Sequence, residues 1–181
     1  MKRIFTCILA ISTFFGLQAQ NGYEIKVNIK GIKDTVCYLM RYKWDSQYIA
    51  DTARVKNGSM VFKGKDLMEK GLYAVLRQNK SFIYFDVPVT EVQKFSIATD
   101  TTEMYNKMKI TGSPVNEDFR QFVIFMSDHY KETYEFEKAV KARKDKDSTK
   151  LIVAEKTKHF EAIKKYQKDY LAKNPTNYLS T

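Results

Sequence analysis

The chain has 181 residues, with 31 Lys or Arg against 21 Asp or Glu and a formal charge of +10. That length carries one ordinary domain, or a small domain with an appendage, and excludes a large multidomain enzyme within this stretch. A basic balance raises nucleic acid or an anionic surface as partners. Acids are interleaved with the lysines along both halves, however, and even the densest run, KARKDKDS (141–148), alternates sign, so solvated faces account for the charge better than a polyanion site.

The first 19 residues read as a secretory signal peptide. Lys2 and Arg3 precede a mostly apolar run from Ile4 to Phe15, and Leu17-Gln18-Ala19 ends on a small residue suited to cleavage. A spanning helix needs about 20 apolar residues, and this run is shorter and broken by Thr6, Ser12, Thr13 and Gly16. Removal rather than anchoring is expected, with a mature chain that begins near Gln20 in the periplasm and has no transmembrane anchor. Export also removes most nucleic acid as a partner. Cys7 lies inside the apolar run, too early for an acylated lipoprotein cysteine, and leaves with the signal. Cys37 then has no second cysteine for an internal disulfide.

Residues 20–111 read as an antiparallel β domain of seven or eight short strands, a sandwich or a barrel-like sheet. YEIKVNIKG alternates Tyr23, Ile25, Val27 and Ile29 with polar residues, the period of a half-buried strand. TVCYLMRY and QYIADTARV follow. Asn57-Gly58 then predicts a tight hairpin leading into SMVFKG, because both residues tolerate positive φ. GLYAVLRQ, SFIYFDV, VQKFSIAT and MYNKMKIT complete the set. SFIYFDV is apolar on both faces, which predicts a central strand covered on both sides.

At TGSPVNEDF (111–119) the periodicity changes from two to three and four. Gly112 frees the backbone, Ser113 suits an N-cap and Pro114 suits the first helical position, while Glu117 and Asp118 favour the first turn. The segment reads as a joint rather than a ligand loop, since its acids would repel an anion at the helix terminus. Beyond it, Phe119, Phe122, Val123, Met126, Tyr130 and Tyr134, and then Ile152, His159, Ile163, Tyr166 and Tyr170, recur at helical spacing. A long antiparallel helical hairpin over 112–181 is expected, turning near residue 146 and ending at Asn174-Pro175. Thr176 looks like the cap of a further helix with only NYLST to fill it, as expected of a domain cut short at its C-terminus.

No CxxC, HExxH, GxSxG or glycine-rich phosphate loop is present in the sequence. Cys37 sits in an apolar strand, where it reads as a small hydrophobe rather than a reactive thiol. The two histidines, His129 and His159, fall at comparable heights on the hairpin, with Asp128 or Glu155 as a third ligand for a metal. Packed or surface histidines are the simpler reading, so no catalytic residue, metal or cofactor is assigned. The aromatic residues mostly have core positions to fill. Trp44 and Tyr48, beside an Asp-Ser turn, are the least explained and form the candidate ligand surface for a peptide or glycan.

Asp51-Thr52, Asn57-Gly58, Phe62, Gly64, Tyr73, and Thr111-Gly112-Ser113 followed by Asn116 and Phe119 resemble an N-terminal domain of unknown function found in exported Bacteroidota proteins. Gly71-Leu72 stands where that pattern often has proline before the tyrosine. The helices from Pro114 onward resemble the helical domain of unknown function that commonly follows. The resemblance implies that a thioredoxin-like domain with a Cys-x-x-Cys pair comes next, in a thiol-disulfide oxidoreductase. It passes no redox residue to this sequence, because those residues lie in the part not present here. The implied function is a non-catalytic accessory region that positions substrate or partner. The alternative is a stand-alone periplasmic module that binds a protein, peptide or glycan.

Overall fold

The computed structural model describes residues 22–143 and 147–175, where eight strands are followed by two helices. The expected signal peptide, residues 144–146 of the hairpin turn and the NYLST segment lie outside the described residues. The strands are β1 (Tyr23–Lys30), β2 (Val36–Lys43), β3 (Ser46–Arg54), β4 (Ser59–Gly64), β5 (Gly71–Leu76), β6 (Ile83–Val89), β7 (Lys94–Asp100) and β8 (Lys109–Thr111). They form two four-stranded sheets, in the orders β4-β1-β7-β8 and β3-β2-β5-β6. Neither sheet closes on itself, so the arrangement is a sandwich. All pairings are antiparallel except β1 with β7, which run parallel.

The alternation legible in the sequence builds the core. Ile25, Val27 and Ile29 of β1, Phe62 of β4 and Ile97 of β7 face Cys37 and Leu39 of β2, Val75 of β5 and Phe85 of β6 across the gap. Each strand turns one face inward, and burial of those faces is the main stabilising term.

Asn57 and Gly58 both take positive φ, 50° and 80°, and Lys56 and Ser59 exchange backbone hydrogen bonds of 2.8 and 3.0 Å, as expected of a tight turn. The flanking strands nevertheless part company, β3 joining one sheet and β4 the other. The Asn-Gly turn is therefore where the chain crosses between layers. Asp51 holds that crossing. Its Oδ2 accepts from the Tyr23 hydroxyl at 2.8 Å and from the Lys63 amide at 3.0 Å, tying β3 to both β1 and β4. Burial, then the neighbouring Asp51 carboxylate, holds the Tyr23 phenol well above its usual pKa.

Three expectations are corrected. SFIYFDV is not central: β6 is an edge strand, with Phe82 and Ile83 exposed and only Phe85, Val87, Pro88 and Val89 buried. Pro88 supplies a physical reason, since it has no N–H and suits an edge. MYNKMKIT contributes only three strand residues, because the Asp100 carboxylate accepts from the Thr102 amide at 2.9 Å and hydroxyl at 2.8 Å and takes the chain into a turn. Tyr130 and Tyr134 lie in solvent rather than on the helical seam.

The joint forms as read. Helix α1 (Pro114–Arg143) starts at the proline, Gly112 has φ 89°, and the Ser113 hydroxyl accepts from the Asn116 amide at 3.4 Å. The buried Asn116 side chain donates to the Pro88 carbonyl and to Ser113 Oγ, both at 2.8 Å, which pins the helix start to β6. Helix α2 (Ser148–Lys173) returns beside α1.

Phe62→Ala removes a fully buried ring from the middle of the sandwich. It should lower unfolding stability by about 3–5 kcal/mol. Val61→Ala, on the outward face of the same strand, should change it by about 0.5 kcal/mol or less. Urea titrations of the two variants check both values.

Candidate functional site

The Trp44 and Tyr48 surface lies at one end of the β2–β3 hairpin. Lys43 pairs with Ser46, leaving Trp44 and Asp45 as a two-residue turn, and Trp44 takes φ 54°. This conformation throws the indole outward, 97% exposed. Tyr48 is 40% exposed, and its hydroxyl accepts from Arg41 Nη1 at 2.7 Å. The Arg41 guanidinium also pairs with Glu69 and lies 6.0 Å and 5.9 Å from the Tyr48 and Tyr73 ring centres. Tyr48, Tyr42, Met40 and Phe82 line an open depression of about 270 Å³ on the outer face of this sheet. Trp44 does not line it, so the two candidate residues share a hairpin without sharing a site.

The seam of the helical hairpin holds a second constellation. Along α1, residues 122, 125, 129, 133, 136 and 140 step by three and four down one side, whereas 130 and 134 each fall about 100° further round the helix than 129 and 133. From the sandwich outward, Asp118 accepts from the Tyr170 hydroxyl at 3.2 Å, and Phe125 stacks on Tyr166 at 4.5 Å. Next, Phe125 meets the His129 ring edge-on at 4.3 Å. The Nδ1 atoms of His129 and His159 then stand 2.6 Å apart. Beyond them Glu137 pairs with Lys156 across the hairpin at 2.9 Å and with Lys141 at 2.6 Å. Hydrogen bonds from these lysines hold the Glu137 carboxyl down at about 2.

The sequence placed the two histidines at the same height, and the structure brings them into contact. His159 is buried, and its Nε2 lies 3.0 Å from Glu155 Oε1. Glu155 is therefore behind His159, while Glu132, one turn after His129, lies in front, with Oε2 3.8 Å from His159 Nδ1. One ligand atom from each of His129, Glu132 and His159 falls within 4.8 Å of the others, and among the described residues this is the group suited to a cation. Asp128 is not part of it. Glu132 was missed in the sequence although the signal was present, since His129-x-x-Glu132 places both residues on one helix face.

Cys37 is buried between the sheets without a disulfide partner among the described residues. Burial, then the nearby Asp34 carboxylate, pushes its thiol up to about 12, against a weaker opposing effect of Arg77. No described helix is long and apolar enough to cross a membrane.

Residues 23–119, more than half of the chain, match the family described as Domain of unknown function (DUF4369). The chain belongs to that family. No curated protein and no solved structure matches it.

A thiol titrating near 12 is almost wholly protonated at pH 8, and only the thiolate reacts. Native protein should therefore label with a maleimide or disulfide reagent far more slowly than urea-unfolded protein. Equal rates in the two states would show that Cys37 is accessible and reactive.

Proposed function

We propose that this chain serves as the non-catalytic accessory region of an exported thiol-disulfide oxidoreductase, positioning a partner polypeptide for a thioredoxin-like domain of the same protein. The observation that carries this reading is the aromatic groove where the two helices meet near the base of the hairpin. Phe119, Phe122, Tyr166, Tyr170 and Leu171 line an open groove of about 290 Å³ beside the sandwich. Tyr130, Tyr134 and Phe160 are largely exposed further along. So much accessible aromatic surface is characteristic of a binding face, and a covalently linked domain is held near it at high effective concentration. The residues that carry the resemblance support the same reading, because they act in the scaffold: Asp51 ties the sheets, Phe62 and Tyr73 fill the core, and Asn116 seats the helix.

A second reading rests on Trp44. A tryptophan 97% exposed at a hairpin tip is a ready stacking platform, and a stand-alone periplasmic module would use it for a peptide or glycan. As the single tryptophan of the chain, it reports its own occupancy by fluorescence.

The test is the intact mass of the native protein in its host, detected with an antibody to this segment. A species well above 21.2 kDa, carrying a CxxC pair in the added sequence, supports the accessory reading. A species slightly below 21.2 kDa overturns it in favour of the stand-alone module, for which Trp44→Ala should abolish the fluorescence response to ligand.

A further inference from the structure

We propose that His129, His159 and Glu132 form a binding site for a divalent transition ion of the zinc class, which clamps α1 to α2. The first argument is the hydrogen-bond arithmetic of the two imidazoles. Their Nδ1 atoms stand 2.6 Å apart, a spacing that needs one N–H and one lone pair. Glu155 Oε1 lies 3.0 Å from His159 Nε2 and accepts from that nitrogen, and Lys158 Nζ holds the same carboxylate oxygen at 2.9 Å. A neutral His159 then carries its proton on Nε2 and turns the Nδ1 lone pair toward His129. A carboxylate behind a histidine with the free nitrogen pointing forward is the outer-shell arrangement that orients metal-binding imidazoles and raises their basicity.

The second argument is geometric. Two nitrogens on a tetrahedral zinc, each at about 2.0–2.1 Å, stand about 3.3 Å apart. Opening the present pair to that spacing takes less than about 1 Å, within reach of small side-chain rotations. Glu132 Oε2 is 3.8 Å from His159 Nδ1, and its side chain is mostly exposed, so it can swing onto an ion without disturbing packing. On one side the edge-on Phe125 ring shields the site.

The proton balance is simple. His129 donates from Nδ1 in the metal-free pair, and on metal binding that proton leaves Nδ1 for solvent while Nε2 takes one up. Two neutral imidazoles and one carboxylate then face the ion, and the complex keeps a net charge of +1. A fourth position stays open to water or to a donor from a partner. Imidazole and carboxylate without thiolate suit zinc and its first-row neighbours rather than soft cuprous ions or hard alkaline-earth ions.

The experiment titrates the chelator-stripped chain with Zn(II) by calorimetry and, in parallel, with Co(II) by visible absorption. The expected result is one ion per chain, visible bands of four-coordinate Co(II), and a rise of about 5 °C or more in the Tm of the helical transition at a hundredfold excess over Kd. His129→Ala and Glu132→Gln should each weaken Zn(II) binding by about tenfold or more, and Glu155→Gln by about tenfold through its hold on His159. Glu132 is exposed and His129 half-buried, so the Glu132 variant keeps the fold and tests the site even if replacing His159 or His129 loosens the hairpin. Absence of saturable Zn(II) binding, or unchanged affinity in both His129→Ala and Glu132→Gln, overturns the proposal.

Discussion

The sandwich is held face to face by apolar side chains, and such contacts are non-directional. Ile25, Val27, Phe62 and Leu39 would tolerate more than one offset between the layers. Asp51 restricts that freedom. Its carboxylate accepts from a hydroxyl on β1 and an amide on β4 while belonging to β3, so sliding the sheets by one residue would strand a charged group at their rim. Gly64 completes the constraint, because a Cβ there would stand 2.5 Å from the Tyr23 ring. The Tyr23 hydroxyl reaches Asp51 only because nothing stands between that ring and β4.

A second polar clamp does for the helices what Asp51 does for the sheets. Asn116 satisfies Ser113 and the Pro88 carbonyl at once, and Arg120, paired with Glu117, donates to the Tyr105 carbonyl at 3.2 Å. Burying an amide this way is favourable only when its bonds are made, so the direction of α1 is tied to the edge of the sandwich. Beyond these first turns the helices depend on each other, through the Phe125–Tyr166 stack, the histidine contact and the Glu137–Lys156 pair.

Much of this was legible in the sequence where the signal is local. Alternation placed the strands, Gly112-Ser113-Pro114 placed the start of α1, and Asn57-Gly58 placed a tight turn, though not the paired hairpin expected around it. What failed was non-local. Whether two strands joined by a tight turn remain paired depends on which partner each finds, and β4 finds β1. The apolar character of SFIYFDV gave no indication that Phe82 and Ile83 would stay exposed at an edge. The parallel β1–β7 pair left no trace in composition. The histidine contact was half legible: spacing gave the heights, but the choice of Glu132 over Asp128 depends on how the helices rotate about their axes.

Anchoring at one end gives the hairpin a mechanical character. At about 1.5 Å of rise per residue, the 30 residues of α1 extend about 45 Å, and the clamps to the sandwich sit at its base. A tilt of about 10° at Gly112 would carry the far tip through about 8 Å by that same length. Any small change at the clamped first turns of α1 is thus magnified at the tip by the length of the arm. The histidine pair, about midway along, is one of the contacts, with the Phe125–Tyr166 stack and the Glu137–Lys156 pair, that make the two helices move as a unit.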